Sequence, residues 1–237
     1  MRKDAATVIA AVGGKLSPSK DAKDETILAV DFCGVGIDER PLEALERLRV
    51  LRRLDLTGAR ISDDSLRHIA RLDRLESLVL NGTCVGDEGM RHLANLTCLK
   101  HLDLSGTNVG DAGLAHLAKL KSLDTLRLAH TLVTDAGIHR LRAFTRLRTL
   151  DLYDTRITGQ GVRQLDALGE LRELDVYGNI DYEAEEAAGQ GLCELARKKA
   201  IPKIERVNFR TFGVRDFQGL MNCPKLQALY LLSLIHI

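Results

Sequence analysis

The chain of 237 residues has no tryptophan and an aromatic content of only 4%. Its core must therefore be built from leucine, isoleucine and valine rather than from stacked rings. An excess of either charge is missing too: the formal net charge is +1. Nucleic-acid-binding domains normally carry a basic excess, so that partner class is excluded. No apolar run approaches the roughly 20 residues of a membrane span, which excludes a membrane helix. The five cysteines, Cys33, Cys84, Cys98, Cys193 and Cys223, are odd in number and show no paired C-x-x-C spacing. Neither a disulfide framework nor a zinc site fits them, and thiols in a reducing, cytoplasmic setting are expected. The opening, MRKDAATVIAAVGGKLS, has a signal-like apolar stretch from Ala5 to Val12. That stretch is short and no small-x-small cleavage site follows, so it reads as a capping helix.

What the chain does have is a repeat. The same 24-residue pattern starts at Leu51, Leu75, Leu99, Leu123 and Leu147 without a gap. A unit this short cannot bury its own apolar face, so the copies must stack around one continuous core. Counting each copy from its first leucine, positions 4 and 6 alternate as in a strand with one buried face, for instance Leu102 and Leu104. Position 9 is Thr83, Thr107, Thr131 and Thr155, then Asn179. These are short side chains that satisfy backbone groups where the chain turns. Position 11 is Ile61, Val85, Val109, Val133 and Ile157, and position 13 is Asp63, Asp87, Asp111 and Asp135. The aspartates read as acids at a helix N-terminus, favoured by capping and by the helix dipole. Positions 16, 19 and 22, such as Leu66, Ile69 and Leu72, follow at helical spacing. Each unit is strand, turn and helix. Stacking predicts an α/β solenoid with a parallel sheet on its concave face and helices on its convex face.

The pattern L-x-x-L-x-L-x-x-T-x-V-x-D-x-G-L-x-x-L-x-x-L resembles a leucine-rich repeat, in the bacterial subclass with threonine in place of the ladder asparagine. It is also similar to the repeats of ribonuclease-inhibitor-like proteins. The resemblance spans about residues 27–231 and implies a binding scaffold without naming a partner. An earlier copy starts at Ile27, with Pro41 placed to open its helix, and later ones start at Leu171, Ile204 and Leu226. Residues 1–26 are expected to cap the exposed end of the core. They read as a helix from Asp4 to Val12, a turn at Gly13-Gly14, an edge strand from Lys15 to Ser17, and a polar loop from Ser17 to Glu25. The copy at Leu171 runs 33 residues, so nine are inserted. Tyr182 to Ala200 reads as one longer helix, with Glu183, Glu185 and Glu186 early and Arg197, Lys198 and Lys199 late. It is either a tolerated convex-face insertion or a lateral projection for a second partner. At the far end Leu234 and His236 break the pattern. The hexapeptide LSLIHI, residues 232–237, is similar to one frame of the transposase mosaic-end sequence used in DNA library preparation. It is expected to be a non-native tail, with the protein continuing beyond it.

Motifs that carry enzyme chemistry are missing: there is no GxxxxGK[ST], HExxH, GxSxG or DxDxDG. The G-x-G at Gly34 and Gly36 lacks the third glycine of a dinucleotide site. His68, His92 and His116 recur at position 18, one to each helix. Neighbouring helices lie about 8–10 Å apart, farther than the ~4 Å that two ligands of one ion can span. These histidines are expected to be solvated on the convex face. No metal, no cofactor and no catalysis are expected.

The outward strand positions carry the candidates. Position 5 reads Asp31, Asp55, Val79, Asp103, Arg127, Asp151 and Asp175. Adjacent strands lie about 4.8 Å apart, so like charges adjoin and need compensation. Arg53, His101 and Arg127 could supply it from nearby, as could a basic partner; the alternative is an ordinary solvated strand face. Position 7 is small and polar until Tyr153 and Tyr177, followed by Arg210, and position 8, glycine in most copies, is His130 and Asp154. Arg127, His130, Asp151, Tyr153, Asp154, Asp175 and Tyr177 thus form one candidate binding patch, with Tyr and Arg as its anchors. Cross-strand packing alone would also account for the tyrosine pair. The expected function is a non-catalytic module for a protein or peptide, with a basic partner favoured. The alternative is the targeting or regulatory repeat half of a larger multidomain enzyme or signalling protein, truncated at its C-terminus. An independently cloned copy of the gene, sequenced past the codon for Leu231, should continue without LSLIHI; finding that hexapeptide there would refute its non-native origin.

Overall fold

In the computed structural model, residues 2–18, 28–35, 37, 40–178, 182–210 and 225–232 are described. Asn179, Cys223, Leu234, His236, most of the loop at 17–25 and the side chains of Glu183, Glu185 and Glu186 lie outside them. Among the described residues, ten short strands join in sequence order into one sheet. The first pair is antiparallel, β1 (Lys15–Pro18) against β2 (Leu28–Asp31). The rest is parallel: β3 (Leu51–Asp55), β4 (Ser77–Val79), β5 (His101–Asp103), β6 (Thr125–Arg127), β7 (Thr149–Asp151), β8 (Glu173–Asp175), β9 (Arg206–Arg210) and β10 (Ala228–Leu232). The register repeats from copy to copy, so position 4 forms a row of Leu54, Leu78, Leu102, Leu126, Leu150 and Leu174. All six are at most 2% exposed. The solenoid expected from the repeat is the observed fold.

A helix returns the chain to each next strand: α2 (Arg40–Leu45), α3 (Leu66–Ile69), α4 (Asp87–Leu93), α5 (Asp111–His116), α6 (Asp135–Ile138) and α7 (Gly159–Arg163). These helices are short, and several tighten into a 3₁₀ turn, as α6 does at His139–Ala143. The reason is in the spacing. Positions 16, 19 and 22 are three apart, the period of a 3₁₀ helix, and so Ile138, Leu141 and Phe144 all stay buried. Ahead of the sheet, α1 (Arg2–Ala11) places Ile9 in the same core as Phe32. The longer copy forms α8 (Tyr182–Arg197). Its second half buries Leu192, Cys193, Leu195 and Ala196 and lies tightly on α7, where a Cβ on Gly191 would meet the Gly159 carbonyl oxygen at 2.7 Å. That half packs along the helical row instead of projecting from it. No helix among the described residues is long and apolar enough to cross a membrane.

Two side-chain devices make each copy fit the next. The position-9 threonines donate to the carbonyl three residues back, Thr83 to Leu80 at 2.7 Å and Thr107 to Leu104 at 2.6 Å, and they are buried. Thr131 and Thr155 do the same. The position-13 aspartates correct the capping reading. They sit in the first turn of their helices, but their carboxylates accept from the following copy. Asp63 takes the Gly86 N–H at 2.6 Å; Asp87 takes those of Gly110 and Gly113. Asp111 takes both the N–H and the hydroxyl of Thr134, at 2.8 and 2.7 Å, and Asp135 holds Thr158 likewise. The glycine of D-x-G leaves room for this bond. A Cβ at Gly113 would lie 2.6 Å from the Asp87 carboxylate, and one at Gly137 or Gly161 would come closer still to Asp111 or Asp135.

The pair Asp111 and Gly137 tests the device. Asp111→Ala should cost about 2 kcal/mol of stability, the scale of hydrogen bonds to a charged group. Gly137→Ala should destabilise the native chain but do so far less in the Asp111→Ala background, with a coupling of about 1 kcal/mol or more. Chemical denaturation of the four proteins measures it, and simple additivity would refute the account.

Candidate binding surface on the sheet face

The acids at position 5 have a local reason to be there. Each accepts the backbone N–H two residues on, closing a turn as its strand ends. Asp31 holds the N–H of Cys33, Asp55 that of Thr57 and Asp103 that of Ser105, at 2.8–2.9 Å. Asp151 and Asp175 hold those of Tyr153 and Tyr177, both at 3.0 Å. The sequence reading saw five carboxylates as charge; their turn-closing bonds were not visible in it.

The charges around these acids differ along the column. Arg127 lies 3.5 Å from the buried Asp103 carboxylate. Asp151 and Asp175 stand side by side in register on β7 and β8. Burial pushes the Asp151 carboxyl above its ordinary range, against the bond from Tyr153, and the neighbouring Asp175 adds to the push. Asp175 is also raised by burial, against bonds from Tyr177 and Asn208. His101 does not supply the positive charge expected of it: burial first, then Arg127, lowers its pKa from an already sub-neutral value, leaving it neutral at pH 7.

Beyond the acids runs a row of rings. Tyr153 and Tyr177 stack with centroids 5.5 Å apart and planes at 18°, and His130 meets Tyr153 edge-on at 4.9 Å. His130 Nδ1 lies 2.7 Å from Asp154 Oδ2, with both side chains about half exposed. Arg127, His130, Asp151, Tyr153, Asp154, Asp175 and Tyr177 therefore share one surface over β6 to β8 and the turns that follow them. Sequence reasoning missed its far border. A groove of about 290 Å³ is lined by Arg127, Asp151 and Asp175 together with Glu173, Arg206 and Asn208. Carrying positions 3 and 5 on into the copy at Ile204 would have found the last two.

The histidines need a correction. His68 is buried, not solvated, with Nδ1 2.6 Å from Glu46 Oε1, while His92 and His116 are half-buried. Among the described residues no group of three or more His, Cys, Asp or Glu is placed to hold a metal ion.

A parallel sheet with a constant register, one helix per copy and a buried leucine row describes one kind of solenoid, and the model of the leucine-rich repeat region matches residues 34–237. The chain belongs to the leucine-rich repeat family. Its fold is similar to that of an internalin C2 from Listeria monocytogenes, with a TM-score of 0.58 at 20% identity over 96% of this chain and 92% of that one. It is also similar to an internalin (inlF) from the same organism, with a TM-score of 0.51 at 18% identity over 97% and 89%. None of the curated proteins matches the sequence. On this leucine-rich repeat, the surface offers carboxylates, phenols, an imidazole and a guanidinium, groups that hold a ligand by ion pairing, hydrogen bonding and stacking.

The raised carboxyls give a stability prediction. A folded-state pKa above the unfolded value means that ionisation opposes folding: the penalty is full above the raised pKa and disappears once both states are protonated. Asp151→Asn with Asp175→Asn keeps an oxygen for each tyrosine N–H and removes both charges. Thermal melts should show the double variant more stable than the native chain at pH 7.5, with the advantage shrinking as pH falls through the carboxyl range. An advantage unchanged by pH would contradict this.

Proposed function

We propose that this chain is a non-catalytic binding module that holds a protein or peptide on its concave sheet face, through Arg127, His130, Asp151, Tyr153, Asp154, Asp175 and Tyr177. The observation that carries the reading is at position 8. Gly34, Gly58, Gly82, Gly106 and Gly178 turn there with φ between 65 and 83°. His130 and Asp154 adopt the same left-handed region, at 54 and 48°, where a side chain costs roughly 1–2 kcal/mol over glycine. Strain kept where glycine is the routine solution supports a functional surface. The two strained residues bond to each other and border the stacked tyrosines, whose rigid, amphipathic rings suit an interface anchor. Leucine-rich repeats typically serve as protein-binding scaffolds, which agrees. Three exposed free thiols, Cys33, Cys84 and Cys98, favour a reducing, cytoplasmic setting.

The test is Tyr153→Ala with Tyr177→Ala. Affinity capture from the source lysate should lose its specific partner with this variant and keep it with an Arg67→Ala variant on the helical side. Circular dichroism should confirm that the fold survives in both. A partner held equally well by the tyrosine variant would refute the site.

A further inference from the structure

We infer that the groove between β7 and β9 takes one arginine side chain of the bound segment, its guanidinium lying against Asp151, Asp175 and Asn208. The inference rests on the binding-surface reading above and gives it a partner chemistry.

The charges around the groove do not balance. Of the lining residues, three acids, Asp151, Glu173 and Asp175, face two cations, Arg127 and Arg206, and each cation has an acid of its own. Arg127 lies 3.5 Å from Asp103, and Arg206 lies 3.1 Å from Glu173. Arg127 also stands opposite Asp151 and attracts it, but less than burial and Asp175 oppose its charge, and neither Asp151 nor Asp175 has a cation within ion-pair distance among the described residues. Asp151 uses one oxygen for the Tyr153 N–H; Asp175 uses one for Tyr177 and the other for Asn208 Nδ2, at 2.8 Å. The second Asp151 oxygen has no donor among the described residues.

An independent observation points the same way. Asn208 lines this groove, and its Oδ1 is buried with no hydrogen-bond donor among the described residues. Buried acceptors are nearly always paired, and an orphan one costs about 1–3 kcal/mol. The acceptors in this groove thus call for a cation with several donors. A guanidinium carries five N–H groups in a planar fork and suits carboxylates on adjacent strands, about 4.8 Å apart. An ammonium is a compact point charge and meets fewer of these acceptors. At about 290 Å³ the groove has room for one long side chain. The stacked tyrosines stand two residues on, in the turns that follow these two strands, where an aromatic face can support the arginine or its stem.

The experiment titrates the full ¹⁵N-labelled chain with N-acetyl-arginine-methylamide and, in parallel, with the uncharged citrulline analogue. The expected result is saturable shifts centred on the amides of Tyr153 and Tyr177, which are bonded to the two carboxylates, with arginine and not with citrulline. Asp151→Asn with Asp175→Asn should weaken binding about tenfold, the scale of losing a charge-assisted contact. Asp31→Asn with Asp55→Asn, the other adjacent acid pair, should leave it unchanged. Equal response to citrulline, no saturable response to arginine, or indifference to the Asp151 and Asp175 changes would each overturn the inference. If the arginine site fails while the tyrosine variant still loses its partner, the binding surface stands and only the cation subsite falls. A partner indifferent to the tyrosines sinks the broader reading instead.

Discussion

The solenoid depends on one carboxylate handed forward from each copy to the next. The first N–H groups of any helix lack partners within it, and a strand-turn-helix unit this short has few side chains of its own to spare for them. Here the preceding copy supplies the acceptor: Asp111 holds Thr134 at the start of α6, and Asp135 holds Thr158 at the start of α7. The glycine of D-x-G belongs to the same device, because it clears the space into which the previous copy's acid reaches. The motif reads as one local signature, but physically it is half of one contact and half of the next. The chain of acids stops at Gly159, which stands at position 13 of its copy. There the Gly159 carbonyl is met by Gly191 of α8. A close contact between α7 and α8 stands where the carboxylates end.

A frame this regular turns departures into information. Position 8 is a left-handed turn in every described copy, and the backbone does not change when glycine is replaced by His130 or Asp154. Only the cost changes, at His130 beside Ala129 and at Asp154 beside Tyr153, next to the place where the outward face switches from small residues to tyrosine. Two deviations at neighbouring places, each unexplained by the core, are harder to attribute to packing than either alone. The tyrosine stack by itself would be ordinary cross-strand pairing.

What could be read from the sequence was whatever repeats within a copy. Strand alternation, the buried aliphatic rows and the turn threonines are all fixed by spacings of a few residues, and they reappear in the structure at those positions. Contacts between copies were legible only where one position meets its own repeat, as Tyr153 meets Tyr177; contacts between different positions were not, because no local motif spans the 22 to 33 residues between the partners. Asp87 was read as a helix acid because the Gly110 N–H that it binds lies 23 residues on. His68 looks the same as His92 and His116 in register, yet it is the buried one, with Glu46 of the preceding copy against it. Glu173, Arg206 and Asn208 were legible in principle, since they stand at positions 3 and 5 of the copies at Leu171 and Ile204, but their pairing across 33 residues instead of 24 shows only in the structure.

The acids at position 5 have a structural role that accounts for only part of their chemistry. Closing a turn explains why an acceptor recurs there but not why it is charged, since asparagine would accept the same N–H. At Asp103 the charge is answered by Arg127 from the next strand. Arg127 also stands opposite Asp151 and attracts it, but burial and the neighbouring Asp175 outweigh that attraction, and burial raises Asp175 as well. Folding alone would favour the neutral amide at these two positions, where the turn would be kept and the repulsion lost. The carboxylates stand instead beside an amide oxygen on Asn208 that is buried and has no donor among the described residues. One column thus holds acids of different standing: Asp103 with an arginine in ion-pair contact, and Asp151 and Asp175 side by side, their charges opposed by burial.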